Sequence, residues 1–109
     1  MDIKDLDSKI IYDASIVLGL SERSSIQDIK DRYRHLVKKW HPDKGSCAPE
    51  VSHKKTQEIT RAYKIIMTYC ENYHYSFSEN DIVNNLPVSA RIREKMKEQY
   101  GKDPIWSNK

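Results

Sequence analysis

An all-α fold is what this sequence predicts, and three observations carry the prediction. Apolar residues recur at helical spacing along successive stretches, and residues that start and stop helices bracket those stretches. The third is composition: 38% apolar and 32% charged residues in 109 suit a small, soluble, helix-rich protein.

The first helix is expected from about Asp7 to Leu18, with Ile10, Ile11, Ala14, Val17 and Leu18 as its apolar face and Gly19 as its stop. Ser25 reads as the N-cap of the second helix, with Asp28 as a weaker capping-box partner. In that helix Ile29, Tyr33, Leu36, Val37 and Trp40 form the stripe of an element buried on one side. The opposite side carries Lys30, Arg34 and Lys38 as i, i+4 neighbours, with His35 and Lys39 beside them. Like charges at that spacing oppose helix formation and have no local offset in this reading, so a partner explains them better than solubility alone.

Pro42 restricts His41 to extended backbone, so the second helix must end near Trp40. Lys44-Gly-Ser-Cys-Ala then forms a loop, and Pro49 suits the first turn of a third helix reaching Tyr73. Its face of Ile59, Tyr63, Ile66, Cys70 and Tyr73 is a seam for an antiparallel neighbour, which the short loop makes the second helix. The first helix is expected to close this hairpin. Tyr73, Tyr75 and Phe77 read as packing for the tail. Ser78 is a cap for a short helix with Ile82 and Val83, and Pro87–Tyr100 reads as a last helix stopped by Gly101. Asp103-Pro-Ile-Trp106 is expected to be extended, with Trp106 folded back onto the body.

Charge is unevenly placed. Residues 1–29 hold three cations against six carboxylates, while residues 30–64 hold ten Lys or Arg against four carboxylates. An acidic partner is therefore expected around the second helix, either a protein surface or a phosphate backbone. No apolar run approaches the ~18 residues of a membrane span. The acidic N-terminus lacks a secretory apolar core, and Cys47 and Cys70 form no disulfide framework. These features predict a cytoplasmic protein with reduced thiols and no membrane association. His41-Pro42-Asp43 remains: an imidazole and a carboxylate on an exposed bend, at the end of a cationic helix. Taken alone it would be an ordinary turn.

Leu18-Gly-Leu-Ser21, Ile29-Lys-Asp-Arg-Tyr-Arg34, Trp40-His-Pro-Asp-Lys44 and Glu58-Ile-Thr-Arg-Ala-Tyr63 together resemble the J domain of the DnaJ co-chaperone family over about residues 10–73. The resemblance implies a J domain at 1–75, built on the antiparallel hairpin of the second and third helices, with a helical extension at 76–109 packed on it or used for targeting. It implies a monomeric co-chaperone, not itself an enzyme, that binds a DnaK-type chaperone ATPase and stimulates ATP hydrolysis. His41, Pro42 and Asp43 match the stimulating motif. Lys30, Tyr33, Arg34, His35, Lys38 and Lys39 match the docking face, with Lys44 at its edge. No cofactor and no metal are expected.

The chain also departs from the pattern. Ala14 and Ser15 stand where the family commonly has two tyrosines, and Thr56 where a core phenylalanine is usual. A repacked core follows, completed by Trp40 and the C-terminal segment. No Gly/Phe-rich linker and no Cys-x-x-Cys repeats supply a client-binding apparatus. A small basic helical nucleic-acid-binding protein is the alternative, weakened by the short cationic row that Asp31 and Asp43 interrupt. A metal or hydrolase site on His41, Asp43, Cys47 and His53 has neither zinc-ligand spacing nor an adjacent nucleophile and oxyanion donors.

Overall fold

The helix ends are written in local chemistry. Asp7 accepts the Ile10 N–H at 2.8 Å through its side chain and opens α1, Ser8–Leu18. Gly19 closes it in the left-handed region at φ 67°, with Gly19 N–H donating to Ile16 C=O and Leu20 N–H to Ser15 C=O, each at 3.0 Å. Ser25 and Asp28 form a full capping box on α2, Ile26–Trp40, each side chain accepting the other's backbone N–H at 3.0 Å. Pro49 starts α3, Pro49–Glu71, from its first turn. Two short 3-10 turns, Ile3–Asp5 and Pro42–Lys44, complete the first region. The computed structural model describes residues 1–44 and 48–100, with side chains for all of these but Lys44 and residues 98–100. The regular structure of the described residues is all helical, with five α-helices and no strand, so the all-α prediction holds.

The chain divides into two compact units, Met1–Tyr73 and His74–Lys109. In the first, Ala14, Leu18, Ile29, Ile59, Ala62, Ile65 and Ile66 form the buried core, and the stripes expected on α1 and α2 pack into or against it. The helix α3 does pack on α2, but its more extensive contact is with α1. The first helix is therefore a full partner of α3 and more than a lid on a hairpin. The small Ala14 of α1 and Ala62 of α3 belong to the same buried cluster, and small residues there leave room for close approach.

Other expectations shift. The α3 helix ends at Glu71, before Tyr73, and its buried set includes Ala62 and Ile65 in addition to the seam Ile59 and Ile66. Tyr73 is half exposed and meets Tyr69 edge-on at 5.7 Å between ring centroids. Phe77 is 83% exposed, so Tyr73-to-Phe77 is no buried packing strip. Cys70 is a free, half-buried thiol, and its pKa is raised first by burial and then by the Glu71 carboxylate. A raised pKa favours the protonated thiol at neutral pH.

In the second unit Ser78 caps α4, Glu79–Asn85, by accepting the Asp81 N–H at 3.3 Å. The Asp81 carboxylate accepts from Ser76 Oγ at 2.6 Å, and bonds from Ser76 and Ser78 hold its pKa below the ordinary carboxylate value. The last helix, α5, spans Val88–Tyr100 and packs against α4. Val88, Ile92 and Met96 share one of its faces, and all three are more than half exposed. Gly101 and Asp103-Pro-Ile-Trp106, with their expected roles in stopping the helix and completing the core, lie outside the described residues.

Gly19 gives the first prediction. A Cβ there would sit 2.9 Å from Arg32 Nη2 on a backbone that L side chains rarely adopt. Arg32 can swing, but the left-handed φ cannot be relieved without opening the cap. Gly19→Ala is expected to cost about 1–2 kcal/mol in urea unfolding, and a neutral result would contradict the cap geometry.

Candidate functional site

The bend at the end of α2 follows from Pro42. His41 lies at φ −59° and ψ 131°, the extended conformation that a following proline imposes, so α2 stops at Trp40. Pro42–Lys44 then turns as a 3-10 segment that packs on α3. Asp43 donates its backbone N–H to His41 Nδ1 at 3.3 Å, and its Oδ2 lies 3.6 Å from the same nitrogen. These two interactions exclude one another chemically. An unprotonated Nδ1 accepts the amide hydrogen, whereas a protonated Nδ1 donates to the carboxylate. Either way, the imidazole is tied to Asp43 while the carboxylate, 90% exposed, faces solvent with acceptor capacity to spare.

The cationic side of α2 leads up to this bend. Arg34, His35, Lys38 and Lys39 are exposed, and Lys30 is half exposed. The row does have one local offset: Arg34 Nη1 lies 3.4 Å from Asp31 Oδ1, which also accepts from Gln27 Nε2 at 2.9 Å. Both partners of that ion pair are well exposed, so it contributes little and leaves Arg34 free to exchange partners. Lys39 Nζ and Lys55 Nζ, the latter from α3, each lie 5.7 Å from the centroid of the Trp40 ring. The cationic surface thus crosses from α2 to α3 at the bend. Lys44 belongs to the 3-10 turn, and its side chain lies outside the described residues.

Tyr33 is placed by its ring. It stacks on Tyr63 of α3 with centroids 4.1 Å apart and planes 14° from parallel. One face of its ring thus serves the α2–α3 contact.

Two supports of the site escaped the sequence pattern. Thr56 Oγ1 donates across to Trp40 C=O at 3.2 Å and within α3 to Ser52 C=O at 2.8 Å. Arg32 donates its Nε–H to Leu18 C=O at 3.1 Å, anchoring α2 to the end of α1 instead of joining the docking row. Neither link has a signal in sequence, because each joins positions on different helices. His53 meets Gln57 on its own helix at 3.3 Å. Among the described residues no three His, Cys, Asp or Glu side chains come together as a metal site, and Cys47 lies outside them.

A cationic helix, a proline-set bend and an exposed carboxylate tied to an imidazole form one constellation on a three-helix body. The model of the DnaJ domain matches residues 12–75, which takes in α1 from Tyr12 onward, α2, the bend and α3. The chain belongs to the DnaJ domain family. Among curated relatives, DnaJ homolog subfamily C member 5 of Tetronarce californica is 49% identical over 51 residues, 47% of this chain and 26% of that protein. DnaJ homolog subfamily B member 6-B of Xenopus laevis is 42% identical over 50 residues, covering 46% of this chain and 20% of its own length. The chaperone protein DnaJ of Thermosipho africanus is 36% identical over 50 residues, 46% of this chain and 13% of that protein. The matched stretch is thus a small part of each relative. No solved structure gives a significant match.

Proposed function

We propose that this DnaJ-domain protein is a co-chaperone that docks on a DnaK-type chaperone ATPase and stimulates its ATP hydrolysis through His41, Pro42 and Asp43. The observation that carries this reading is the bend itself: Pro42 fixes the backbone, His41 is bonded to the Asp43 amide, and the Asp43 carboxylate stands exposed beside a cationic helix. An exposed carboxylate of fixed position can accept charge-assisted bonds from a partner arginine. Fixing it beforehand lowers the ordering cost of binding. Lys30, Arg34, Lys38 and Lys39 supply the steering charge for an acidic surface, with His35 and Tyr33 completing the docking face and Lys44 at its edge. Binding to the ATPase, and not chemistry on this chain, is the proposed work. Residues 76–109 are proposed as a helical extension packed on the J domain or used for targeting.

The test is single-turnover ATP hydrolysis by a cognate DnaK-type chaperone with and without this protein. Unchanged hydrolysis would refute the assignment. Docking is tested separately by Arg34→Ala with Lys38→Ala. Two surface charges of up to ~1 kcal/mol each should raise the half-saturating concentration roughly tenfold while leaving the maximal rate intact. That difference should shrink as salt rises, because exposed pairs are screened. A salt-independent defect would mean that the two side chains do not act through charge.

A further inference from the structure

We propose that Thr56 is a positioning residue for the His41-Pro42-Asp43 bend, holding it from α3 through the backbone carbonyl of Trp40; this rests on the functional reading above. The last carbonyls of a helix have no donors within it. At the end of α1 the problem is solved by Gly19, which brings backbone N–H groups back onto the helix. That solution is closed to α2. Pro42 has no N–H, His41 is held extended, and the Asp43 N–H is given to His41 Nδ1. The donor to Trp40 C=O comes instead from Thr56 Oγ1, sixteen residues on, at 3.2 Å in a partly buried setting.

The carbonyl of Trp40 belongs to the peptide plane that joins it to His41. A bond to that oxygen limits rotation of the plane, and any rotation would swing the imidazole and, through the rigid proline, carry Asp43 with it. Thr56 also bonds to Ser52 C=O at 2.8 Å, so its single hydrogen is shared between its own helix and the bend. The competing possibility is that the hydroxyl serves α3 alone, as threonines inside helices often do. The two are separable, because only the first makes the bend depend on the hydroxyl.

Thr56→Val keeps the shape and removes the donor, whereas Thr56→Ser keeps the donor and removes a methyl. With the full chain and a cognate DnaK-type chaperone, Thr56→Val should lower the maximal stimulated rate about fivefold, roughly the worth of one hydrogen bond. The half-saturating concentration should stay within about twofold, since the docking side chains are untouched. Thr56→Ser should keep most of the wild-type maximum. On the protein alone, solvent exchange of the Asp43 amide should speed up about fivefold in Thr56→Val, while core amides such as Ile65 keep their rates. Several outcomes would overturn the inference: a wild-type maximum in Thr56→Val, equal losses in the Val and Ser variants, or loss of fold in Thr56→Val. If the wild-type protein itself fails to stimulate, the functional reading falls, and the Asp43 exchange rate alone then decides whether Thr56 positions the bend.

Discussion

Asp43→Asn is expected to remove the stimulation of the partner ATPase while leaving the protein folded. The carboxylate is 90% exposed, and among the described residues it meets His41 Nδ1 at 3.6 Å. Substitutions at such positions usually change stability by no more than ~0.5 kcal/mol, so the melting temperature should stay within about 3 °C of wild type. The amide side chain preserves volume, and the backbone N–H that bonds to His41 is unaltered. What it loses is charge. A hydrogen bond to a charged group contributes about 1.5–3 kcal/mol, so a partner guanidinium would forfeit at least about tenfold in stimulated rate. Single-turnover hydrolysis beside a thermal melt separates the cases. Should the variant unfold, Asp43 is structural; should it stimulate fully, the trigger lies elsewhere.

The largest effect on stability is expected from Leu18→Ala. Leu18 is completely buried at the last turn of α1, among the Ile and Ala side chains of α2 and α3. Its loss removes transfer free energy and opens a cavity that the three helices can close only in part. Buried Leu→Ala changes of this kind cost about 3–5 kcal/mol. For a unit of this size such a loss is about half of the folding free energy or more, at ~0.1 kcal/mol per residue. Urea unfolding followed by circular dichroism should show a much lower midpoint with an unchanged slope. Ile16→Ala, two residues earlier and 58% exposed, is the matched control and should move the midpoint little. A loss below about 1 kcal/mol in Leu18→Ala would place the end of α1 outside the core.

The two experiments touch different parts of one device. Leu18 maintains the body that carries the bend, and Asp43 is the part of the bend offered to a partner. Between them stand Arg32, which ties α2 to α1, and Thr56, which ties the end of α2 to α3. A departure from the family pattern proves informative at Thr56. Where the family commonly packs a phenylalanine ring, this chain places a hydroxyl within reach of the Trp40 carbonyl. The Ala14 departure works differently, putting a small residue in the buried cluster that α1 shares with α3.

What the sequence determined by itself was local. Asp7, Gly19, Ser25 with Asp28, Pro42, Pro49 and Ser78 mark helix ends because each acts through bonds or torsions within a few residues. The same is true of His41-Pro42-Asp43: a proline dictates its neighbour's backbone whatever the rest of the fold does. Only the tertiary structure decided which neighbour α3 favours, that Tyr33 spends its ring on Tyr63, and that Thr56 reaches Trp40. A short loop guarantees that two helices are adjacent, but how much surface they share depends on lengths, crossing and side-chain volume summed over all three helices. Periodicity marks which face of a helix is apolar. It carries no information about which polar atom on another helix will stand 3 Å away, because that distance is set by packing and not by spacing along the chain.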